Sequence, residues 1–185
     1  MSSTTFQRFP SRRAFLGGLT SGAAFLAAPA LAKTTGDFRT AYLVNNRTGD
    51  WLKTVYWADG DYIPDAMEAI NYLMRDWRRE EVTRIDPRTV DIISAVHRML
   101  ECDEPFEVVS GYRSPQTNAA LRSRNRGVAR NSYHMRGMAA DLTLKTRSVR
   151  QMASAGKALG AGGVGRYSRS KFIHLDSGPV RDWGR

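Results

Sequence analysis

The hydrophobic pattern begins with two runs of strand-forming residues. β-Branched and aromatic side chains are concentrated at residues 38–45 and 51–57, and the turn-forming sequence N-R-T-G-D lies between them. Two such runs on either side of a short polar segment are typical of a β-hairpin. We therefore predict two paired strands here, ended by the sequence D-G-D at residues 59–61.

Two segments with apolar residues at close to helical spacing follow the hairpin. The first opens at Pro64 or Asp65 and continues through Trp77. Three basic residues lie near its end, where cations match the helix dipole: Arg75, Arg78 and Arg79. The second opens at residues 86–87 with Asp-Pro, a favourable cap and first-turn pair. We expect these two helices to form the core of the scaffold.

The second half of the chain combines short strands and helices. Strands are predicted at residues 106–110, 138–144 and 171–175, and helices at residues 114–121 and 146–158. The glycine-rich segment at residues 160–165 lacks the lysine and the spacing of a phosphate-binding loop, so we interpret it as a turn where backbone passes close to backbone. The whole pattern predicts an α+β fold, with helices packed on a mainly antiparallel sheet.

The first 32 residues have the pattern of an export signal. The pair Arg12-Arg13 is followed by A-F-L and an apolar, Gly/Ala-rich run, which ends A-L-A at Ala32. This combination indicates a twin-arginine signal peptide over residues 1–32 with a small-x-small cleavage site, and it predicts a periplasmic protein. The alternative is an uncleaved signal that tethers the protein to the membrane.

Cleavage after Ala32 would leave residues 33–185, a length that suits a single domain. No later apolar stretch is long enough to span a bilayer, so we expect no stable membrane insertion after cleavage, and we expect a monomer. The full chain has a formal net charge of +10, and a basic surface suits an anionic partner. An exported protein rarely meets nucleic acid, so we favour an anionic cell-envelope polymer over nucleic acid. A merely solvated basic face is the alternative.

The one cysteine and one of the histidines are interpreted as structural. Cys102 excludes an intramolecular disulfide, and its acidic neighbours disfavour a thiolate, so a packed thiol is favoured over a nucleophile. His97 lies within the second predicted helix and has no acidic or histidine neighbour at ligand spacing. The candidate chemistry therefore lies elsewhere.

The other two histidines each have a carboxylate nearby. His134 precedes Asp141 by seven residues, and His174 precedes Asp176 by two. Two imidazoles and one carboxylate, with a position left for water, suit a catalytic Zn²⁺. The odd separation of His134 and Asp141 would put them on opposite faces of a straight strand, so they can converge only if the chain turns between them. Gly137 permits that turn, and His174 would then complete the set from a neighbouring strand.

Three motifs are similar to those of a known enzyme superfamily. S-G-Y-R-S at residues 110–114, S-Y-H-x-x-G-x-A-x-D at residues 132–141 and F-I-H-x-D-x-G at residues 172–178 resemble the zinc D,D-peptidases of bacterial cell walls, which include D-Ala-D-Ala carboxypeptidases and dipeptidases. A late Arg-x-Trp adds to the resemblance, which extends over nearly the entire mature chain and is strongest to the murein endopeptidase K group.

The resemblance implies a hedgehog-type D,D-peptidase fold and a function in the cell wall. It implies that Zn²⁺ is held by His134, Asp141 and His174, and that the enzyme hydrolyses peptide cross-links in peptidoglycan. Zn²⁺ lowers the pKa of bound water to about 7, and the resulting hydroxide would attack the scissile carbonyl.

The resemblance also suggests roles for residues around the metal. Arg113 is the candidate for a second oxyanion stabiliser or a contact to a substrate carboxylate, and a salt bridge that pins its loop is the alternative. Tyr112 and Ser110 are candidate substrate contacts. Ser132 is expected to support the loop that carries His134.

The general base is where this sequence departs from the wider superfamily. Many members place Glu or His two or three residues before the last ligand, but here Phe172 and Lys171 occupy those positions. Asp176 is the candidate base, because it shares a strand face with His174. It is equally suited to orienting an imidazole, and a third possibility makes Asp176 the ligand and His174 the base. We favour His174 as the ligand.

We therefore predict a zinc-dependent murein endopeptidase that acts in cell-wall remodelling. A D,D-carboxypeptidase that trims terminal D-Ala is the second enzymatic hypothesis. The third is a zinc-stabilised envelope-binding domain without catalysis, which the missing upstream base keeps open. A cysteine transpeptidase and a serine D,D-peptidase find no supporting motif.

Overall fold

The computed structural model describes residues 37–184. The predicted signal peptide at residues 1–32 lies outside the described residues. The strands are β1 (Phe38–Asn45), β2 (Asp50–Ala58), β3 (Asp61–Tyr62), β4 (Phe106–Ser110), β5 (Ala139–Thr143), β6 (Gly163–Tyr167), β7 (Phe172–Asp176) and β8 (Arg181–Gly184). The helices are α1 (Pro64–Leu73), α2 (Pro87–Met99), α3 (Pro115–Arg124) and α4 (Val149–Leu159), with a 3₁₀ turn at Tyr133–Arg136.

The strands of the described region form one sheet. Its order is β3-β2-β1-β4-β5-β7-β6-β8, and neighbours are antiparallel except for the pairs β1–β4 and β6–β8. The predicted α+β class and the predicted hairpin of β1 and β2 are confirmed. None of the helices in residues 37–184 has the length and apolar character needed to cross a bilayer.

The two faces of the central strands differ in chemistry. Leu142 on β5, Val164 on β6 and Leu175 on β7 are buried in the hydrophobic core, against which α2 and α4 pack. Because side chains alternate between faces along a strand, the intervening residues Asp141 and His174 point to the opposite face. The fold therefore uses one face for the core and leaves the other for polar chemistry.

Helix α1 is shorter than the sequence pattern predicts. It ends at Leu73 rather than continuing through Trp77, and no basic residue lies in its last turn, so the proposed match of arginines to its dipole is wrong. Arg75 is instead buried, and its guanidinium donates to Asp50 at 2.6 Å and to Glu80 at 2.7 Å. A buried charge requires such partners, and this requirement outweighs continuation of the helix.

The second predicted helix is confirmed as α2. It begins at Pro87, and the side chain of Asp86 caps it by accepting a hydrogen bond from the Arg88 backbone N–H at 3.1 Å. His97 bonds the Glu104 carbonyl O through Nε2 at 2.7 Å and contacts the Phe106 ring, in keeping with a structural role. Burial raises the pKa of the Cys102 thiol, in keeping with a packed thiol.

The glycine-rich segment is a turn, as the sequence suggested, only at residues 160–162, and residues 163–165 form the start of strand β6. Its close backbone approach is confirmed, because a Cβ on Gly162 would overlap the Asp176 carbonyl O. Strand β6 is paired on both sides, with β7 on one side and β8 on the other. Strand β8 was not predicted, and it brings Arg181 and Trp183 next to β6.

Gly162→Ala should destabilise the protein strongly. The added Cβ meets backbone rather than a flexible side chain, so we expect the free energy of unfolding to fall by about 3 kcal/mol or more. Gly160→Ala is the control, because its Cβ would meet nothing within 4 Å and only its left-handed backbone (φ 62°) is strained. That strain costs about 1–2 kcal/mol. Urea unfolding measures the free energy of unfolding of both variants. Equal losses of stability would contradict the close approach of Gly162 to the Asp176 carbonyl O.

Candidate metal centre

Three buried side chains converge on the polar face of the sheet. His134 Nε2, His174 Nδ1 and Asp141 Oδ1 lie 2.9–3.2 Å from one another. Among the described residues, this is the group of histidines, cysteines and carboxylates with the separations of a metal site. The convergence that the motif spacing required is therefore present.

Strand pairing and one turn create this convergence. Asp141 on β5 and His174 on β7 are direct partners across the antiparallel ladder. His134 lies in the 3₁₀ turn. Ser132 caps the start of this turn, because its Oγ accepts a hydrogen bond from the His134 N–H at 3.3 Å. Gly137 ends the turn with φ 66°, and a Cβ there would overlap the Arg84 carbonyl O. Both features favour glycine at this position.

Hydrogen bonds fix which nitrogen of each imidazole faces the cluster. His134 Nδ1 donates to the Gly111 carbonyl O at 2.6 Å, so its Nε2 presents a lone pair. His174 Nε2 donates to Asp176 Oδ2 at 2.9 Å, so its Nδ1 presents a lone pair when the ring is neutral. Two lone pairs and a carboxylate oxygen therefore point at one another.

This donor set fits a tetrahedral Zn²⁺. Ligand atoms at Zn–N and Zn–O distances of ~2.0–2.1 Å lie about 3.3 Å apart in a tetrahedron, close to the separations that these three atoms already have. Three acceptors in mutual contact also repel one another unless a proton or a metal cation lies among them. Geometry and charge are thus both compatible with Zn²⁺.

The electrostatics of the cluster also favour a cation. Burial lowers the pKa of His134. Burial alone would raise the pKa of Asp141, but His134 and His174 hold it well below its usual range. Burial likewise opposes the charged form of His174, yet its bonds to Asp141 and Asp176 raise its pKa. The centre therefore keeps its carboxylates ionised and attracts positive charge.

Asp176 lies behind His174 and away from open space. It is fully buried, and its oxygens accept from His174 Nε2, from the Gly178 N–H at 2.9 Å and from Arg181 at 2.7 and 2.9 Å. Burial would raise its pKa, but His174 and Arg181 lower it. Asp176 is thus saturated by three donors, and it does not line the cleft above the cluster.

Arg113 lies directly beside the three converging side chains. Its Nη2 bonds Asp141 Oδ2 and lies 3.0 Å from His134 Nε2, while its Nε donates to Ser110 Oγ at 2.9 Å. Its Nη1 makes no hydrogen bond to any described residue. Arg113 lines the cleft, so this part of the guanidinium can meet a bound molecule.

The other sequence-predicted contacts lie one step further away. Ser110 is buried and supports Arg113, and Ser132 is buried and caps the turn of His134. Tyr112 packs against the hydrophobic core and its backbone N–H donates to the Met74 carbonyl O at 2.7 Å. Of the three, Ser132 lines the cleft, whereas Ser110 and Tyr112 do not.

A cleft of about 630 Å³ opens above the cluster. Its walls include four aromatic side chains that were not predicted as site residues: Tyr133, Tyr167, Phe172 and Trp183. The Trp183 ring lies 5.3 Å from that of His174, centroid to centroid. The sequence signals for this wall were the late Arg-x-Trp motif and the places of Tyr133 and Phe172 inside the motifs that carry the histidines. A Cβ on Gly163 would overlap Arg181 and the Asp176 carboxylate, and one on Gly165 would lie 2.7 Å from the Trp183 ring.

Comparisons with known proteins identify similar sequences. The chain matches the family described as "Peptidoglycan L,D-endopeptidase MepK" over residues 33–183. It is 38% identical to the peptidoglycan L,D-endopeptidase MepK of Escherichia coli strain K12 over 169 residues, which cover 91% of this chain and 93% of that protein. It is 36% identical to the probable peptidoglycan L,D-endopeptidase MepK of Haemophilus influenzae over 170 residues, 91% of each chain.

His134→Ala should abolish stoichiometric binding of Zn²⁺, because it removes one of three converging donors. His97→Ala is the matched control, since it removes a histidine that bonds a backbone carbonyl instead. Metal content after dialysis against zinc-buffered solution measures the difference, and circular dichroism checks that both variants are folded. Equal zinc content in folded His134→Ala and wild-type protein would contradict the ligand set.

Proposed function

Since the chain belongs to the peptidoglycan L,D-endopeptidase MepK family, we propose that it is a zinc-dependent murein endopeptidase that hydrolyses peptide cross-links in peptidoglycan. The observation that carries this proposal is the buried convergence of His134, Asp141 and His174 at the floor of an open cleft. The names of the relatives specify an L,D bond, and we extend that specificity to this chain. Cleavage of an L,D bond is a more specific statement than the cross-link hydrolysis that the motifs alone predicted.

His134, Asp141 and His174 would hold the zinc ion. When bound, Zn²⁺ acts as a Lewis acid and lowers the pKa of a bound water to about 7. The chain's own residues prepare the centre: Gly111 and Asp176 fix the two imidazole orientations through hydrogen bonds. Such bonds also make a ligating imidazole a stronger donor.

Arg113 is proposed to bind an oxygen of the substrate. Its Nη2 holds the Asp141 oxygen that faces away from the imidazoles, and Ser110 fixes its Nε. Because these two bonds fix the guanidinium, its unbonded Nη1 also has a fixed position. A fixed donor of this kind stabilises negative charge on a carbonyl oxygen or holds a carboxylate.

Asp176 is proposed to orient His174 rather than to act as the general base. A base must reach the water within hydrogen-bond distance, but both oxygens of Asp176 already accept bonds and the side chain is fully buried. The same saturation argues against the exchange of roles in which Asp176 binds the metal. Of the three alternatives for this residue, orientation has the support of its contacts.

We also propose export by the twin-arginine pathway and action in the periplasm as a monomer. The family match begins at residue 33, directly after the predicted cleavage site. A signal peptide over residues 1–32 would therefore precede a single catalytic domain. The twin-arginine pathway exports folded proteins, so it suits a protein whose metal centre is assembled from distant segments of the chain.

A non-catalytic, zinc-stabilised binding domain is the second candidate function. It has one observation in its favour, because Asp141 is the only carboxylate among the described residues that line the cleft. No separate base is thus evident next to the ligands. Measurement of product formation decides between the two functions.

Chelation should stop digestion of purified sacculi, and added Zn²⁺ should restore it. Mass spectrometry should show cross-linked fragments converted to monomers, because the proposed reaction hydrolyses the bond between stems. Re-addition of Mg²⁺ is the control, since histidine ligands suit zinc better. Loss of a single alanine from monomers would indicate the carboxypeptidase instead. Absence of any product would favour the binding domain.

Asp176→Asn should weaken zinc binding by about 10–100-fold, because it impairs the bond that orients His174. Turnover at saturating zinc should stay within about tenfold of wild type. Asp182→Asn is the control, since Asp182 is exposed and pairs with Lys157. Zinc titration and kinetics at saturating metal separate the effects. Unchanged affinity with turnover reduced at least about 100-fold would make Asp176 the base.

A further inference from the structure

Charge is distributed very unevenly along the chain. Residues 108–175 contain thirteen arginines and lysines but a single acidic residue, Asp141. That aspartate is buried in the candidate metal centre. The surface contributed by this segment therefore carries positive charge with no acidic residue of its own to neutralise it.

One part of this charge lies in a segment that borders the cleft. We call residues 122–131 the basic arm; it comprises the end of α3 and the loop after it. Its four arginines are exposed and form no ion pair with any described residue: Arg122, Arg124, Arg126 and Arg130. Residues between them or directly after them line the cleft: Asn125, Gly127, Val128, Ala129 and Asn131. The arginines thus stand at the rim of the same opening.

A second basic segment also borders the cleft. We call residues 168–171 the basic turn; it joins β6 to β7. Arg169 and Lys171 are exposed and form no ion pair with the described residues. Tyr167, Ser170 and Phe172, within or beside this turn, line the cleft. Two separate basic segments therefore border the same opening.

Local bonds hold the basic arm in place without neutralising it. Asn118 is buried on α3, and its Nδ2 donates to the Ala129 carbonyl O at 3.1 Å. Asn125 Oδ1 accepts from the Gly127 N–H at 2.8 Å, and the Asn125 carbonyl O accepts from the Val128 N–H at 3.0 Å. The fold thus positions unpaired cations next to one another, although their mutual repulsion is unfavourable.

We propose that the basic arm and the basic turn bind free carboxylates of peptidoglycan stem peptides on either side of the scissile bond, so that they capture the polymer before hydrolysis. The identity of the polymer rests on the proposed function. Fixed clusters of one sign raise the local concentration of an oppositely charged ligand and its association rate. Arginine also binds carboxylates with paired, planar hydrogen bonds.

The shape of the surface favours a flexible polyanion over an anionic membrane. The charges lie beside a concave opening lined by aromatic rings, into which a peptide can enter. Among the described residues of the basic arm, the apolar side chains are limited to Val128 and Ala129. A surface that inserts into lipid needs larger apolar side chains beside its cations.

The test compares two double variants that each remove two positive charges. Arg126→Gln/Arg130→Gln alters the basic arm. Arg98→Gln/Arg150→Gln is the matched control, because these residues are exposed on α2 and α4, across the sheet from the cleft, and form no ion pair with described residues. Co-sedimentation with sacculi in the presence of a chelator measures capture without turnover. Sacculi whose carboxylates have been amidated provide the second substrate.

We expect the arm variant to bind native sacculi about three- to tenfold more weakly than wild type, and the control variant to bind within about twofold. Amidation should weaken binding of wild type and control at least to the level of the arm variant, because it also removes the carboxylates that the remaining arginines and the basic turn would bind. Added salt should have the same effect, since exposed charges are screened at high ionic strength. With a soluble cross-linked muropeptide, the arm variant should raise KM by a similar factor and leave kcat unchanged.

Three outcomes would overturn the proposal. Equal losses in the two variants would mean that net charge rather than the basic arm matters, and insensitivity to amidation would exclude carboxylates as the ligand. If the arm variant lost binding to phosphatidylglycerol vesicles but retained binding to sacculi, the surface would serve a membrane. A wild-type protein that bound sacculi but never cut them would refute the endopeptidase and leave the capture surface standing.

Discussion

The close approach of two imidazole nitrogens and a carboxylate oxygen, which needs a proton or a metal cation between them, is the constraint on which this structure depends. His134 Nε2, His174 Nδ1 and Asp141 Oδ1 are held about a hydrogen-bond length apart in a buried place. Burial makes such an arrangement costly unless positive charge is present. The guanidinium of Arg113 supplies part of it from one side. The remaining geometry suits a divalent cation, with the candidate ligands positioned in advance.

Ordinary sheet packing maintains this costly arrangement. Asp141 and His174 are held by the ladder between β5 and β7, while Leu142 and Leu175 fix the same strands against the helices behind them. His174 cannot swing away, because Asp176 holds its other nitrogen. The hydrophobic core thus contributes the rigidity, and the polar face contributes the chemistry. Neither works alone, since a metal geometry tolerates little movement of its ligands.

Local patterns predicted much of this arrangement, and long-range contacts explain what they missed. The turn at Gly137 followed from the odd spacing of two candidate ligands. The roles of Asp176 remained open in the sequence, because they depend on Arg181, which reaches it only through the pairing of β8 with β6. The glycine-rich strand was interpreted as a turn, since glycine disfavours strands unless neighbours come close. The early end of α1 depends on burial of Arg75, which no local pattern reveals.

The glycines of β6 limit how the substrate specificity of this cleft can change. Gly163 and Gly165 provide the volume that the Asp176 carboxylate and the Trp183 indole occupy. Any larger residue there competes with those groups for the same space, so adaptation to other substrates has to proceed through the loops that form the rim. A mutagenesis library aimed at new cleavage specificity should accordingly vary the rim and keep this glycine strand constant.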